Sequence, residues 1–269
     1  MTQNPLVVIK LGGELLTDAS KRHDIAVAIG RLTASTDLVV IQGGGREIDT
    51  ELAARGCAKQ AFDGLRLTDA KTLEVVVNIL AGRINTQLVA AAKHAGVRAV
   101  GLTATDAGVS TVCRAEPYTT STGTTVDLGF VGQPTDSGKP DLLRRLCDDR
   151  FIPIVASIGS DDTGQLLNVN ADTLAGHLAI QLKATRLLIA GGTAGVLDQE
   201  GQTIPAVNKF LLQQLIADGR ASAGMVAKLI ACGEAARSGV SRVEIVDGRQ
   251  TDDLNNSKGT RIDIHEPAN

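Results

Sequence analysis

The chain has 269 residues, 43% hydrophobic and 21% charged, which is enough apolar mass for one large domain or two lobes and argues against disorder. A net charge of −3, a pI near 5.8 and 2% aromatic content argue against a general nucleic-acid binder, which needs a basic surface and rings to stack on bases. Attraction for an anionic ligand must then come from individually placed Lys and Arg side chains.

The first element is an apolar strand over 5–11, ending Val7-Val8-Ile9-Lys10-Leu11-Gly12-Gly13. Lysine is rarely buried without a partner, so Lys10 between Ile9 and Leu11 asks for an anion. Gly12 and Gly13 remove the side chains that would hold an anion off the backbone. A helix is expected over 22–34 and a second strand over 37–42, which breaks into Gly43-Gly44-Gly45 before a helix over 45–55. A strand, a glycine turn and a helix N-terminus make a natural phosphate or carboxylate site.

Asp63-Gly64-Leu65-Arg66-Leu67-Thr68 precedes a long helical pattern that runs from Thr68-Asp69 to about Ala95, with Gly96 as its stop. The Arg66 guanidinium reads either as a surface salt bridge or as a fork for a carboxylate. The stripe Leu73, Val76, Val77, Leu80, Ile84 and Leu88 suits a dimer face or an internal core face equally. A strand over 97–102 follows. Residues 108–134 are rich in Thr, Ser and Gly and read as short hairpins, either a flap over the site or a surface hairpin. A helix over 141–149, a strand over 151–155, a helix over 172–182 and a strand over 184–190 come next. Helices over 209–218 and 225–238, the latter stopped by Gly239, lead to a closing strand over 242–246. Strands alternating with helices imply a mainly parallel sheet covered on both faces, a three-layer αβα sandwich.

Asn168-Val169-Asn170-Ala171-Asp172 is either a helix cap with a turn or a pair of amides offered to a ligand, with Asp172 orienting cations. Lys228, expected in the first turn of its helix, reads as a solvated lysine unless a polyphosphate reverses the unfavourable dipole term. Other motifs are missing. Gly138-Lys139 runs into Pro140, so there is no Walker A sequence, and Ile48 breaks a G-x-G-x-x-G pattern at Gly43. Cys57, Cys113, Cys147 and Cys232 form no C-x-x-C pair and are expected as scattered buried thiols. His23, His94, His177 and His265 are expected to be solvated. No signal peptide is apparent, and no run approaches the ~20 apolar residues of a membrane span, so a soluble, reducing, cytoplasmic setting is expected.

Together these pieces resemble the amino-acid kinase superfamily and, within it, the acetylglutamate kinases. The resemblance runs through Ile9 to Gly13, Gly43 to Gly45, Asp63 to Thr68, Asp127-Leu128-Gly129-Phe130-Val131-Gly132, Asn168 to Asp172, Gly195-Val196-Leu197-Asp198, and Gly224-Met225 with Lys228. It implies one amino-acid kinase domain over 1–269. An N-lobe over about 1–160 would bind the acetylamino acid and carry dimerisation, and a C-lobe over about 161–269 would bind nucleotide. The implied activity is ATP-dependent phosphorylation of the γ-carboxylate of N-acetyl-L-glutamate in arginine biosynthesis, with Mg²⁺ accompanying ATP. Lys10 and Lys228 would stabilise the transferred phosphoryl group and Asp172 would hold both lysines. Gly44, Gly45, Arg66, Asn168 and Asn170 would bind the acetylamino acid. Gly12, Gly13, Gly192, Thr193, Gly195, Val196, Leu197, Ser222, Gly224 and Met225 would bind the nucleotide.

Departures from the family pattern are Gln42 where a His is usual, Ala190-Gly191-Gly192-Thr193-Ala194 where the loop usually carries an acid, and Ala223 where Gly or Asp is common. Alternative functions are a kinase of a related acylated amino acid, such as an aminoadipate derivative, or a nucleotide-binding sensor without turnover. Only four residues precede the first strand at Pro5. Arginine-inhibited members carry an extra N-terminal helix that builds a hexamer, so the expectation is an arginine-insensitive homodimer with no nucleic-acid or membrane partner.

Overall fold

The computed structural model describes residues 4–62, 65–120, 123–217, 223–250, 254–255 and 258–264. Its strands in chain order are β1 (Leu6–Leu11), β2 (Asp37–Gln42), β3 (Ala61–Phe62), β4 (Leu65–Arg66), β5 (Ala99–Thr103), β6 (Val112–Arg114), β7 (Tyr118–Thr119), β8 (Thr125–Val126), β9 (Val131–Pro134), β10 (Ile152–Ala156), β11 (Ile158–Ser160), β12 (Leu166–Val169), β13 (Arg186–Gly191), β14 (Ala206–Val207), β15 (Arg242–Asp247) and β16 (Gly259–Ile262). The helices are α1 (Ala19–Leu32), α2 (Gly45–Ala54), α3 (Ala70–Val77), α4 (Asn85–His94), α5 (Asp141–Asp148), α6 (Ala171–Gln181), α7 (Lys209–Ala217) and α8 (Ala223–Arg237).

Eight strands form the main sheet in the order β14-β16-β15-β13-β1-β2-β10-β5. All neighbours pair in parallel except β15 and β16. Successive residues of a strand face opposite sides. Val7, Ile9 and Leu11 therefore join the core beneath α1, α2 and the long helix, while Leu6 and Val8 join the core beneath α5, α6 and α8. The same alternation directs Lys10 to the α6 and α8 side. Helices on both faces make the expected αβα sandwich. The strand over 242–246 is not the last one, because β16 follows it and adds an antiparallel edge with β14 beyond.

A four-stranded sheet, β11-β12-β9-β6, is built partly from the 108–134 insertion and stands beside the main sheet. It is anchored to the start of the long helix, where the Thr68 N–H donates to Leu128 and the Phe130 N–H donates to Thr68. The insertion thus supplies a wall through Val131, and its tip is the β7–β8 hairpin.

Helices α3 and α4 are joined by a π-helical segment, Asn78–Ile84, that the apolar spacing did not reveal. In this register the Leu80 carbonyl accepts the Asn85 N–H and also the Gln42 side-chain amide at 2.7 Å. Leu73, Val76, Leu80, Ile84 and Leu88 of the stripe are buried within the chain, while Val77 is half-buried, so most of the stripe packs internally. The 25 residues Ala70–His94 are, against expectation, long and apolar enough to cross a membrane by length and composition. Val76 and Leu88 are fully buried here, and the Asn85 amide donates to the Ile154 carbonyl at 2.9 Å, as in a core helix.

Smaller corrections have local causes. Helix α1 starts earlier than expected because Asp18 caps it, accepting the Lys21 N–H at 2.9 Å. Helix α8 starts at Ala223, so Lys228 lies in its second turn rather than its first. All four cysteines are free thiols, but only Cys147 and Cys232 are buried, while Cys113 is exposed. Burial pushes the Cys147 thiol up to about 12. His177 is half-buried rather than fully solvated, and that burial lowers its pKa below the ordinary imidazole value. His265 lies outside the described residues.

Candidate active site

Because β1, β2 and β13 are parallel neighbours, the turns after them leave the same edge of the sheet: Gly12-Gly13, Gly43-Gly45 and Gly191-Gly192. Ligands of open parallel sheets bind at this carboxyl edge, where the chain departs to either side. Here that point is β1, with β2 on one side and β13 on the other.

Lys10, paired in register with Ile41 and Ile189, reaches toward α6. Its Nζ lies 2.9 Å from Oδ1 of Asp172, in the first turn of α6, and Nζ of Lys228 lies 3.2 Å from Oδ2 of the same carboxylate. Lys228 also donates to the Gly224 carbonyl at 3.4 Å. Burial by itself would raise the Asp172 pKa, but the charges of Lys10 and Lys228 outweigh it, and the carboxyl sits below its ordinary value. One buried anion thus holds two cations and leaves a positive remainder.

A cavity of about 430 Å³ opens over this cluster. Its wall brings together Lys10, Gly12, Gly13, Gly44, Gly45, Arg66, Asn168, Asn170, Asp172 and Lys228, all expected from the sequence. Some do other work than expected. The Asn170 side-chain Oδ1 caps α6, accepting N–H groups from Asp172 and Thr173, so the cap reading holds for that atom. The Asn168 amide donates to Thr68 Oγ1 at 3.1 Å. A Cβ on Gly44 would stand 2.2 Å from Ile84 Cδ1, and one on Gly13 would stand 2.7 Å from Gly44 Cα. These glycines let two turns and the long helix approach one another. Gly44 caps α2 without a side chain, leaving first-turn N–H groups as ligand donors.

Arg66 is not a surface ion pair, its side chain being 13% exposed. Its Nη2 donates to Asp49 and to the Gly45 carbonyl, and its Nη1 is buried with no hydrogen-bond partner. Burial opposes ionisation of Asp49, but Lys59 and Arg66 together hold its carboxyl below the ordinary range. Asp49, Lys59, Ser157 and Glu14 line the cavity without having been expected, because none belongs to a motif with a recognisable spacing. Asp63 and Gly64 lie outside the described residues.

A second cavity of about 820 Å³ lies beyond β13, lined by Thr193, Gly195, Val196, Leu197 and Met225 together with Ile204, Leu211 and Leu215. Gly192 and Gly224 line neither cavity. The Gly192 N–H donates to Glu14 Oε1 at 2.7 Å, so the loop without an acid of its own receives a carboxylate from the first glycine turn. Ser222 lies outside the described residues.

A model of the amino acid kinase family matches residues 5–247. The chain belongs to the amino acid kinase family. Among curated relatives, the acetylglutamate kinase of Rhodopseudomonas palustris (strain BisA53) is 39% identical over 97% of this chain and 90% of its own. Among solved structures, an N-acetylglutamate synthase from Neisseria gonorrhoeae superposes with a TM-score of 0.82 at 23% identity, covering 98% of this amino acid kinase but 60% of the synthase. Carbamate kinase from Giardia lamblia superposes with a TM-score of 0.71 at 17% identity over 98% of this chain and all of its own. These two likenesses establish the fold. In this amino acid kinase, two lysines on one buried carboxylate, in the wall of a cavity that also holds an arginine, suit transfer of an anionic group.

Proposed function

We propose that this amino acid kinase transfers the γ-phosphoryl group of ATP to the γ-carboxylate of N-acetyl-L-glutamate, a step of arginine biosynthesis. The observation that carries the proposal is the Lys10–Asp172–Lys228 cluster, set at the sheet edge in the wall of the first cavity. Acetylglutamate kinase relatives spanning almost the whole chain support the choice of acceptor.

The acceptor occupies the cavity over β2 in this reading. Arg66 takes its α-carboxylate with the spare Nη1 donor, and Asn168, Asn170 and the turn N–H groups of Gly44 and Gly45 fix the rest. The nucleotide occupies the cavity beyond β13, its base against Val196, Leu197 and Met225, its phosphates toward Gly12 and Gly13. The nucleophile is a carboxylate, already ionised at neutral pH, so no general base is required. Phosphoryl transfer then depends on positioning and on stabilising charge at the moving group. Lys10 and Lys228 do this, and Asp172 keeps both aimed without neutralising them fully.

Among the described residues no three His, Cys, Asp or Glu side chains converge as a metal cage. In the proposed reading, Mg²⁺ enters with the nucleotide, held chiefly by its phosphates. Bound that way, Mg²⁺ would offset charge on the polyphosphate. The N-lobe thus serves chiefly the acceptor, with Asn168 and Asn170 reaching it from the C-lobe, and the C-lobe chiefly the nucleotide, with Gly12 and Gly13 meeting its phosphates from the N-lobe. A cytoplasmic homodimer is the assembly proposed, since closed two-fold dimers are the commonest soluble oligomers, and light scattering tests it.

The test is ADP release with ATP and N-acetylglutamate, run beside glutamate, aspartate and N-acetyl-2-aminoadipate. N-acetylglutamate should have the highest kcat/KM. A higher value for the aminoadipate derivative, or no ADP release with any acceptor, would overturn the assignment.

A further inference from the structure

Glu14 lies in the turn that follows β1, and its carboxylate lies against three glycines. A Cβ on Gly12 would stand 2.5 Å from Oε1 and 2.6 Å from Oε2, one on Gly191 would stand 3.2 Å from Oε1, and one on Gly192 would stand 3.2 Å from Cγ. Oε1 accepts the Gly192 N–H at 2.7 Å across 178 residues of sequence. The same loop is stitched on its other sides by backbone bonds, Gly12 N–H to the Ala190 carbonyl at 2.9 Å and Gly248 N–H to the Gly191 carbonyl at 2.8 Å. Glu14 therefore closes a ring of contacts around the start of the loop that goes on to form the second cavity through Thr193, Gly195, Val196 and Leu197. It also lines the first cavity, with Lys10 and Lys228. No other side chain among the described residues hydrogen-bonds the Gly192 N–H.

We infer that Glu14 is a positioning residue for the nucleotide. Its carboxylate pins the Gly191-Gly192 loop to the first glycine turn, so that the apolar cavity beyond β13 is set at a fixed distance and angle from the two lysines. The bare faces of Gly12, Gly191 and Gly192 make room for this carboxylate. The chemistry required is an acceptor oxygen at the reach of a glutamate. A shorter side chain leaves the Gly192 N–H unmet, and an amide of equal length does not. The inference rests on the assignment of the second cavity to nucleotide made above.

The test compares wild type with Glu14→Ala, Glu14→Asp and Glu14→Gln. Binding of the magnesium complex of AMP-PNP is measured by calorimetry without acceptor, together with deuterium exchange over 188–196 and steady-state kinetics. Glu14→Ala and Glu14→Asp should raise the Kd for the analogue about tenfold, the usual effect of one lost hydrogen bond to a charged group. They should also speed exchange in the loop and raise the KM for ATP while leaving that for acetylglutamate within about twofold. Glu14→Gln should restore both binding and exchange protection. If the alanine chain does not fold, the Asp and Gln variants carry the comparison. Unchanged or tighter binding in Glu14→Asp would overturn the inference, as would a Gln variant as weak as the Asp one, which would make charge rather than reach the requirement. Failure of the parent assignment looks different. A wild-type chain that does not bind the analogue, or that binds it and releases no ADP with any acceptor, fails before any variant is compared.

Discussion

Gly176 of α6 faces the carbonyl oxygen of Ala231 in α8, and a Cβ built on Gly176 would stand 3.0 Å from that oxygen. The contact lies one turn along each helix from Asp172 and Lys228, so the closeness of the two backbones sets the reach of the ion pair. Gly176→Val should force the helices apart, at a cost of about 1–3 kcal/mol typical of overpacking. The kinase should also lose kcat about tenfold or more as Lys228 is drawn off its carboxylate. Thermal unfolding and kcat measured together check this. A destabilised protein with full kcat would show that helix spacing does not govern Lys228.

Lys10→Ala and Lys228→Ala should each lower kcat about 10²–10³-fold, the range for removing one preorganised charge-stabilising donor. The KM values should change far less, and far-UV circular dichroism should be that of the wild type. A Lys10→Ala enzyme with near-normal kcat would remove Lys10 from the mechanism.

Asp172→Asn leaves two ammonium groups facing an uncharged amide at a buried position. Breaking a buried pair in this way typically costs about 3–5 kcal/mol, to be read from urea unfolding at neutral pH. The sign with pH follows from the lowered carboxyl pKa. The unfolded chain binds the proton more readily than the folded one, so this contribution is fully present above the unfolded value of about 3.9 and declines as pH falls through the lower folded value. Wild type should therefore lose stability more steeply than Asp172→Asn below about pH 4. Equal slopes for the two proteins would contradict the shift.

Arg66→Ala should raise the KM for acetylglutamate much more than that for ATP. Arg66→Lys should rescue poorly, since an ammonium cannot hold Asp49, the Gly45 carbonyl and a carboxylate in one plane. An unchanged acetylglutamate KM at saturating ATP counts decisively against Arg66 as the acceptor's anchor.

The strands and helices that position the site were legible because their signals are local. Apolar runs end in glycine at β1 and β2, Asn170 caps α6, and Gly96 and Gly239 adopt the left-handed conformation that stops their helices. The ten residues on the cavity wall were legible through motifs in a fixed order. What was hidden depends on contacts between distant segments. The π-helical turn is answered by Gln42, which is 38 residues away, and nothing in the apolar spacing reveals it. Glu14 belongs to no motif, and its part becomes visible only once the Gly191-Gly192 loop lies over it. Gly44 reads as an anion turn, whereas its missing side chain chiefly makes room for Ile84 and Leu80. The strand Gly259–Ile262 escaped because it adds an antiparallel edge after the repeating unit has ended.

The place of β1 between β2 and β13 has an evolutionary consequence. In the proposed reading, the turn after β1 is common to both substrates, the turn after β2 serves the acceptor and the turn after β13 serves the nucleotide. A lineage can therefore exchange one acceptor for another by rewriting α2 and the β3–β4 hairpin, without relearning how to handle a triphosphate. By the same separation it can remodel the 190–195 loop while the acceptor's cavity stays as it was.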